Sequence, residues 1–377
     1  MRRGKVLLRR FAEGATTAFR AARSSLDDHY SRRSHILMGT SDGREAFAMF
    51  GGFRARHRFG ALYLPPLARS RTRLMVHHAA TADYCRGLVE RHGLVVFCGD
   101  SAPAELAADL LSVPVSVDME MPTPSAFEGP GASWSGSAKA NIARVKRGRF
   151  VFDVVDGGEW IQEFHRRMFR PSMRRRHGAR ASMDSERTLA RYAQAAGGEL
   201  LRVFRNGQWV AASINQSALD GYRQIKLGWL DGDEGLFKSG VVSALYWFNF
   251  RRAADLGHRR IFFGSVEPCL EDGVLLYKSH WGAGLCAESR FFGEFRLLLE
   301  PSHPACRRFL QAHSMVTKGT DREFIVFSGR SPDTVPVSRA VLRGIKRWYR
   351  WRDLPAAVAA VTSEEVPRPL RPWVTLL

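Results

Sequence analysis

Lysine and cysteine are scarce in this chain of 377 residues, and acidic groups are too few to balance the basic ones. The five cysteines, Cys85, Cys98, Cys269, Cys286 and Cys306, are scattered, odd in number and never in a C-x-x-C pair. That excludes a disulfide framework and a zinc ribbon, and it fits a reducing cytoplasm. No apolar run approaches the roughly 18 residues of a spanning helix, so no transmembrane segment is expected. The basic start looks like that of a signal peptide, but Val6, Leu7 and Leu8 are cut off at once by Arg9 and Arg10, so secretion is not expected. Internal repeats, Pro-rich or Ser-rich tracts and a Gly-x-Ser-x-Gly elbow are all missing, which excludes solenoids and an α/β-hydrolase nucleophile.

What is abundant is arginine. Of the 57 basic residues only eight are Lys, against 37 Asp plus Glu, for a net charge of +20. Part of that charge reflects an Arg-rich composition, but Arg also clusters at 2–10, 166–180 and 343–352. Such clusters suit phosphate groups, on nucleic acid, nucleotides or lipids. With 45% hydrophobic and 25% charged residues the chain is globular, and its length suits about two domains that need no staple.

The stretch 121–137, rich in Pro, Gly and Ser, reads as a domain junction. Before it, 61–64 and 94–98 are strand-like and 104–111 reads as a helix opened by Pro103. After it, 137–147 reads as a basic helix stopped by Gly148, then a strand over 150–155, then an amphipathic helix over 159–169. Asn206-Gly207 marks a type I′ hairpin between strands 199–205 and 208–219, and Asp220-Gly221 a second such turn before 222–230. A helix over 241–256, stopped by Gly257, then crosses over to a strand at 260–264. The crossover makes 222–230 and 260–264 parallel if adjacent. An antiparallel meander that turns parallel tends to splay, and the helix start at 239–242 would aim unpaired N–H groups at the opening, which suits an anion such as a pyrophosphate.

Three segments, SAKANIARVKR with its following strand, EWIQEFHRRMF with RRRHG, and HRRIFFGSVEPCLEDGVLLYKSHWGAGL, resemble in their order the GNAT acyltransferase superfamily, in its FemAB/CelD-like branch. Gly257, Phe263-Gly264, Lys278 and Trp281-Gly282 carry the likeness. The superfamily's (Gln/Arg)-x-x-Gly-x-(Gly/Ala) signature is absent, and Lys238, Ser239, Gly240 and Val241 stand where it would fall. The resemblance implies an α+β fold of tandem GNAT-like modules, the first degenerate, each a mixed central sheet flanked by helices. The expected organisation is a basic arm over 1–34, the degenerate module over 35–136, the acyltransferase domain over 137–330 and a basic amphipathic tail over 331–377.

The implied activity is N-acyl transfer by direct attack, with acetyl-CoA or another acyl-CoA as co-substrate, no metal, and an amine of a cell-envelope precursor or small metabolite as acceptor. Lys278 would stabilise the oxyanion, Glu267 or His280 would take the proton, and 238–241 would hold the donor phosphates. Arg176, Trp229 and Trp281 are candidates for substrate contact. Two alternatives stand beside it: an aminoacyl-tRNA-dependent FemAB-type transferase, and a non-enzymatic basic scaffold for nucleic acid or membrane. The tail at 337–361 reads as an amphipathic helix with Val341, Ile345 and Trp348 on one face and Arg343, Lys346, Arg347 and Arg350 nearby, the pattern of an interfacial anchor. Peripheral contact with a membrane, and a lipid-linked acceptor, would follow from it.

Overall fold

A computed structural model describes residues 35–40, 46–50, 71–76, 80–98, 101–128, 134–178, 183–288, 293–319, 321, 323–353, 361 and 363–377. The expected arm over 1–34 and the strand at 61–64 lie outside the described residues. The fold is α+β, with helices against mixed sheets.

The first sheet has six strands: β1 (His35–Thr40), β2 (Ala46–Phe50), β3 (Arg71–Val76), β4 (Leu94–Cys98), β5 (Leu111–Pro114) and β13 (Glu294–Leu299), in the order β3-β1-β2-β4-β13-β5. Alternation along β4 decides its two faces. Val95 and Phe97 pack under helix α1 (Ala82–His92), while Leu94, Val96 and Cys98 face the third sheet. The segment read as a helix from Pro103 is a 3₁₀ turn, Ala104–Asp109, which runs straight into β5.

The second sheet has seven strands: β6 (Val117–Pro122), β7 (Phe150–Val155), β8 (Gly198–Arg205), β9 (Gln208–Ala218), β10 (Gly221–Trp229), β11 (Arg260–Val266) and β12 (Gly284–Leu285), in the order β12-β6-β11-β10-β9-β8-β7. Helix α2 (Gly136–Arg147), capped by the Ser135 hydroxyl on the Ala138 N–H, covers one face with α7 (Val241–Asp255). The other face is covered by α3 (Ile161–Glu163), a π-helical stretch Phe164–Phe169, α4 (Arg170–His177) and α5 (Glu186–Ala193). A short helix α6 (Glu234–Ser239) precedes α7, and α8 (Gly273–His280) follows β11.

Asn206 and Gly207 have φ of 51° and 77°, as a type I′ turn requires. The second turn falls one residue earlier than expected. Ala218 pairs with Gly221, so Leu219 and Asp220 form the tip and neither has positive φ. Gly221, with φ 151°, is instead kept small by the parallel neighbour, since a Cβ there would lie 2.6 Å from the Arg260 carbonyl oxygen.

The tail is not the expected basic helix. After α9 (Pro304–Ala312), a third sheet forms from β14 (Met315–Lys318), β15 (Phe324–Ser328), β16 (Ile345–Trp351) and β17 (Val374–Leu376). Among the described residues of 337–361 only Arg339–Gly344 is helical (α10), and β16 pairs parallel with β15 and antiparallel with β17. Its aromatic, alternating sequence suits a strand buried on both sides. Trp348 enters the core of the second sheet, Tyr349 and Trp351 enter that of the first, and the Trp348 indole donates to the Arg330 carbonyl at 2.8 Å. The face read as a membrane anchor is therefore interior. Arg347, read as an outer cation, is tied to Asp321 and Glu365 at 2.8 and 2.6 Å. No described helix is long and apolar enough to cross a membrane.

The expected seam at 136/137 coincides with the start of α2, yet strands cross it in both directions: β6 pairs with β11, and β13 inserts between β4 and β5.

Helix packing shapes β10 near its end. A Cβ on Gly228 would lie 2.7 Å from the backbone of Met168 and Phe169, so the π-helical stretch rests directly on the strand. Gly228→Ala is expected to cost about 1–3 kcal/mol, because the helix must lift away; urea unfolding monitored by circular dichroism measures it.

Candidate active site

β10 and β11 run parallel but stay paired only at Tyr222↔Ile261 and Arg223↔Phe262. Beyond that level both strands break register on their outer sides. β10 carries an extra residue at Ile225 against β9, and β11 is irregular between Phe262 and Ser265 against β6. Gly264, in that irregularity, has φ 69°. Ser172 holds the far end of β10 aside: its hydroxyl donates to the Trp229 carbonyl at 3.0 Å and accepts from the Trp229 N–H at 2.8 Å. The strands separate, and a crevice of about 740 Å³ opens between them.

Lys278 forms its floor. The Asp272 carboxylate accepts the Leu275 N–H at 2.8 Å, so α8 starts at Gly273, and Val274 and Lys278, one turn apart, face the crevice together. The Lys278 side chain is buried, and its Nζ donates to the carbonyls of Phe263, Gly264 and Ser265 at 2.7, 3.2 and 3.3 Å. These are backbone groups at the point where the ladder has opened, and the ammonium takes the place of the missing strand partner. Burial pulls the Lys278 ammonium down to about 7, opposed by the carboxylates of Asp272 and Asp118 and reinforced by the Arg176 cation. Burial likewise raises Asp272, opposed by the Leu275 and Val274 N–H groups and by Lys278 and Arg176.

Of the other sequence-based candidates, Glu267, Arg176 and Trp229 line the same crevice. Arg176 is exposed at its rim, and Trp229 is buried with its indole donating to the Asp233 carbonyl at 3.0 Å. His280 does not belong to the site. It lies two residues beyond Lys278, close to the opposite face of α8, and lines a different cleft. Trp281 is also outside the crevice, 1% exposed and packed on Phe250 and Tyr246.

The segment expected to hold donor phosphates does not line the crevice either. Lys238 pairs with Glu234 at 2.9 Å, the Ser239 hydroxyl donates to the Leu236 carbonyl, and Val241 is fully buried. Gly240 begins α7 with φ 97°, and a Cβ there would meet Arg144 Cδ at 2.7 Å. An arginine from α2 therefore lies where a phosphate was expected.

Gln224 went unnoticed in the sequence. It lines the crevice at 6% exposure, and its amide nitrogen Nε2 has no hydrogen-bond partner. Only the bulge beside it brings this residue to the opening, and bulges leave no reliable trace in a single sequence. All five cysteines are buried, and burial pushes the thiols of Cys85, Cys286 and Cys306 up to about 12. A cysteine nucleophile does not fit those environments. Among the described residues no cluster of three or more His, Cys, Asp or Glu is placed to hold a metal ion.

No family model matches the chain. No curated protein matches it either. Solved structures do. The C-terminal domain of a putative lysylphosphatidylglycerol synthetase from Agrobacterium fabrum is 11% identical over 74% of this chain and 85% of its own, with a TM-score of 0.36. FemX is 10% identical over 72% and 85%, with a TM-score of 0.38. A GCN5-related N-acetyltransferase from Kribbella flavida is 9% identical over 75% and 59%, with a TM-score of 0.30. No residue role and no activity passes from these proteins to this chain.

Because Lys278 titrates near 7 when folded and near 10.5 when unfolded, the unfolded chain binds more protons between those values. Stability should therefore rise with pH across that window, the cost of the buried charge being fully present below it. Lys278→Met is expected to abolish that part of the rise, as measured by urea unfolding of both proteins at pH 7 and pH 9.

Proposed function

We propose that the chain transfers an acyl group from an activated carbonyl donor to an amine by direct attack, in the crevice between β10 and β11. The observation that carries this reading is the separation of two parallel strands over a buried ammonium. The opening admits a flat acyl group between two backbone edges, and Lys278 and the Gln224 amide supply polar hydrogens there. The 3.3 Å contact from Lys278 to Ser265 is its longest, and exchanging it for a developing oxyanion costs least. Glu267, on the same wall, is the proposed acceptor of the amine proton. Arg176 at the rim would hold the donor's phosphates in place of 238–241. Such a reaction needs no covalent enzyme intermediate, in keeping with the inert cysteines.

The donor supplies the activated carbonyl, as a thioester of coenzyme A or an ester of tRNA. Acetyl-CoA, with an envelope precursor or a small amine as acceptor, remains the proposed pair. Aminoacyl-tRNA is the second reading, and the position of 238–241 away from the crevice favours it, because that donor needs no pyrophosphate seat there.

Native mass spectrometry of the purified protein should show a retained coenzyme A thioester, and coenzyme A should raise the melting temperature. Tight tRNA binding that falls steeply with salt, without any coenzyme A effect, would instead establish the second donor. Lys278→Ala should lower kcat/KM on the order of 100-fold or more with the circular dichroism spectrum unchanged, and Gln224→Leu should act in the same direction. A folded Lys278→Ala protein with unchanged kcat/KM would overturn the role given to Lys278, and one that keeps its full biological activity without any measurable acyl transfer would favour the scaffold reading.

A further inference from the structure

We infer a second ligand site, separate from the crevice, for a phosphorylated molecule. It is a cleft of about 890 Å³ between the junction after β6, the C-terminal end of α8 and helix α10. Among the described residues no carboxylate lines it, whereas Arg339, Arg343 and His280 do. The two arginines are one helical turn apart and exposed, and among the described residues neither has an ion pair or hydrogen bond. Other arginines, Arg202, Arg252, Arg260 and Arg347 among them, are matched to carboxylates, whereas this pair faces one cleft with both guanidiniums unmatched.

Unused polar atoms gather at the same place. Thr123 Oγ1, Trp134 Nε1 and Ser338 Oγ, all on lining residues, are buried without a hydrogen-bond partner. Buried polar groups are rarely left so, and a cluster of them around one cavity marks a missing partner. Ser338 is the sharpest case. It sits at the N-cap of α10, yet its hydroxyl does not cap the helix.

The chemistry selects the ligand. Among the described residues donors and cations line the cleft without any anionic acceptor, so a ligand that brings several acceptor oxygens and negative charge suits it. A carboxylate offers two oxygens, which one arginine can satisfy; a phosphoryl or diphosphoryl group can engage both guanidiniums and the hydroxyls together. Trp134 and Trp281 add aromatic wall for an uncharged portion of the ligand. The two sites are distinct. Stacked Trp281 and Tyr246, with ring centroids 6.2 Å apart, stand between them, Trp281 lining this cleft and Tyr246 the crevice.

Isothermal titration of the full chain with inorganic pyrophosphate, and with a nucleoside diphosphate, is the test. Saturable binding is expected, weakened at least tenfold in the double variant Arg339→Ala/Arg343→Ala and kept in Arg176→Ala, which removes the arginine at the crevice rim. Both arginines are exposed, so the double variant should fold, as circular dichroism would verify. Flotation with phosphatidylglycerol vesicles, against phosphatidylcholine alone, distinguishes the source of the phosphate. Vesicle binding that the double variant loses, with no binding of the soluble probes, would support the site with a lipid headgroup as ligand. The inference is overturned if neither soluble probes nor anionic vesicles bind, or if binding survives in the double variant and disappears in Arg176→Ala.

Discussion

One buried ammonium organises the centre of this molecule. An open gap between two parallel strands leaves backbone carbonyls without ladder partners, and three of them, at Phe263, Gly264 and Ser265, converge on Lys278. Placing a cation in a protein interior costs several kcal/mol unless hydrogen bonds and opposite charge offset it. Here the carbonyls satisfy its protons while Asp272 and Asp118 lie near enough to oppose the effect of burial. The ammonium and the gap thus explain each other: without the cation the carbonyls would be orphaned, and without the separation they would be engaged in the sheet.

The opening is held from several directions. Gly228 lets the π-helical stretch rest on β10, Ser172 ties the following helix α4 to Trp229, and the bulge at Ile225 redirects the strand before either contact is made. On the other bank, Gly264 provides the backbone conformation that bends β11. Asp272 fixes the first turn of α8 and with it the direction of Lys278. None of these residues need touch a substrate for the crevice to depend on them, and together they make it a stable feature of the sheet.

How much of this was legible in the sequence follows from where each signal resides. The hairpin at Asn206-Gly207, the apolar helix ended by Gly257 and the parallel crossover to β11 rest on local chemistry and handedness, and all three are present. Lys278 stood out because lysine is rare and because of a family resemblance. Its three carbonyl partners could not be read, since they depend on a register break. His280 was misplaced for lack of an anchored helix phase, which the Asp272 cap supplies. The tail failed for another reason. In 345–351, aromatic and basic residues satisfy both a helical face and a strand alternation, and only two buried neighbouring layers, one toward Trp348 and one toward Tyr349 and Trp351, decide for the strand.

The exchange of strands across the 136/137 junction has a structural consequence. Each of the two larger sheets borrows a stave from the other side: β13 sits in the interior of the first, and β6 lies between β11 and β12 in the second. Dividing the chain there would leave both sheets with an exposed hydrogen-bonding slot, so the halves are laced together and neither is a free-standing cassette that recombination could move intact.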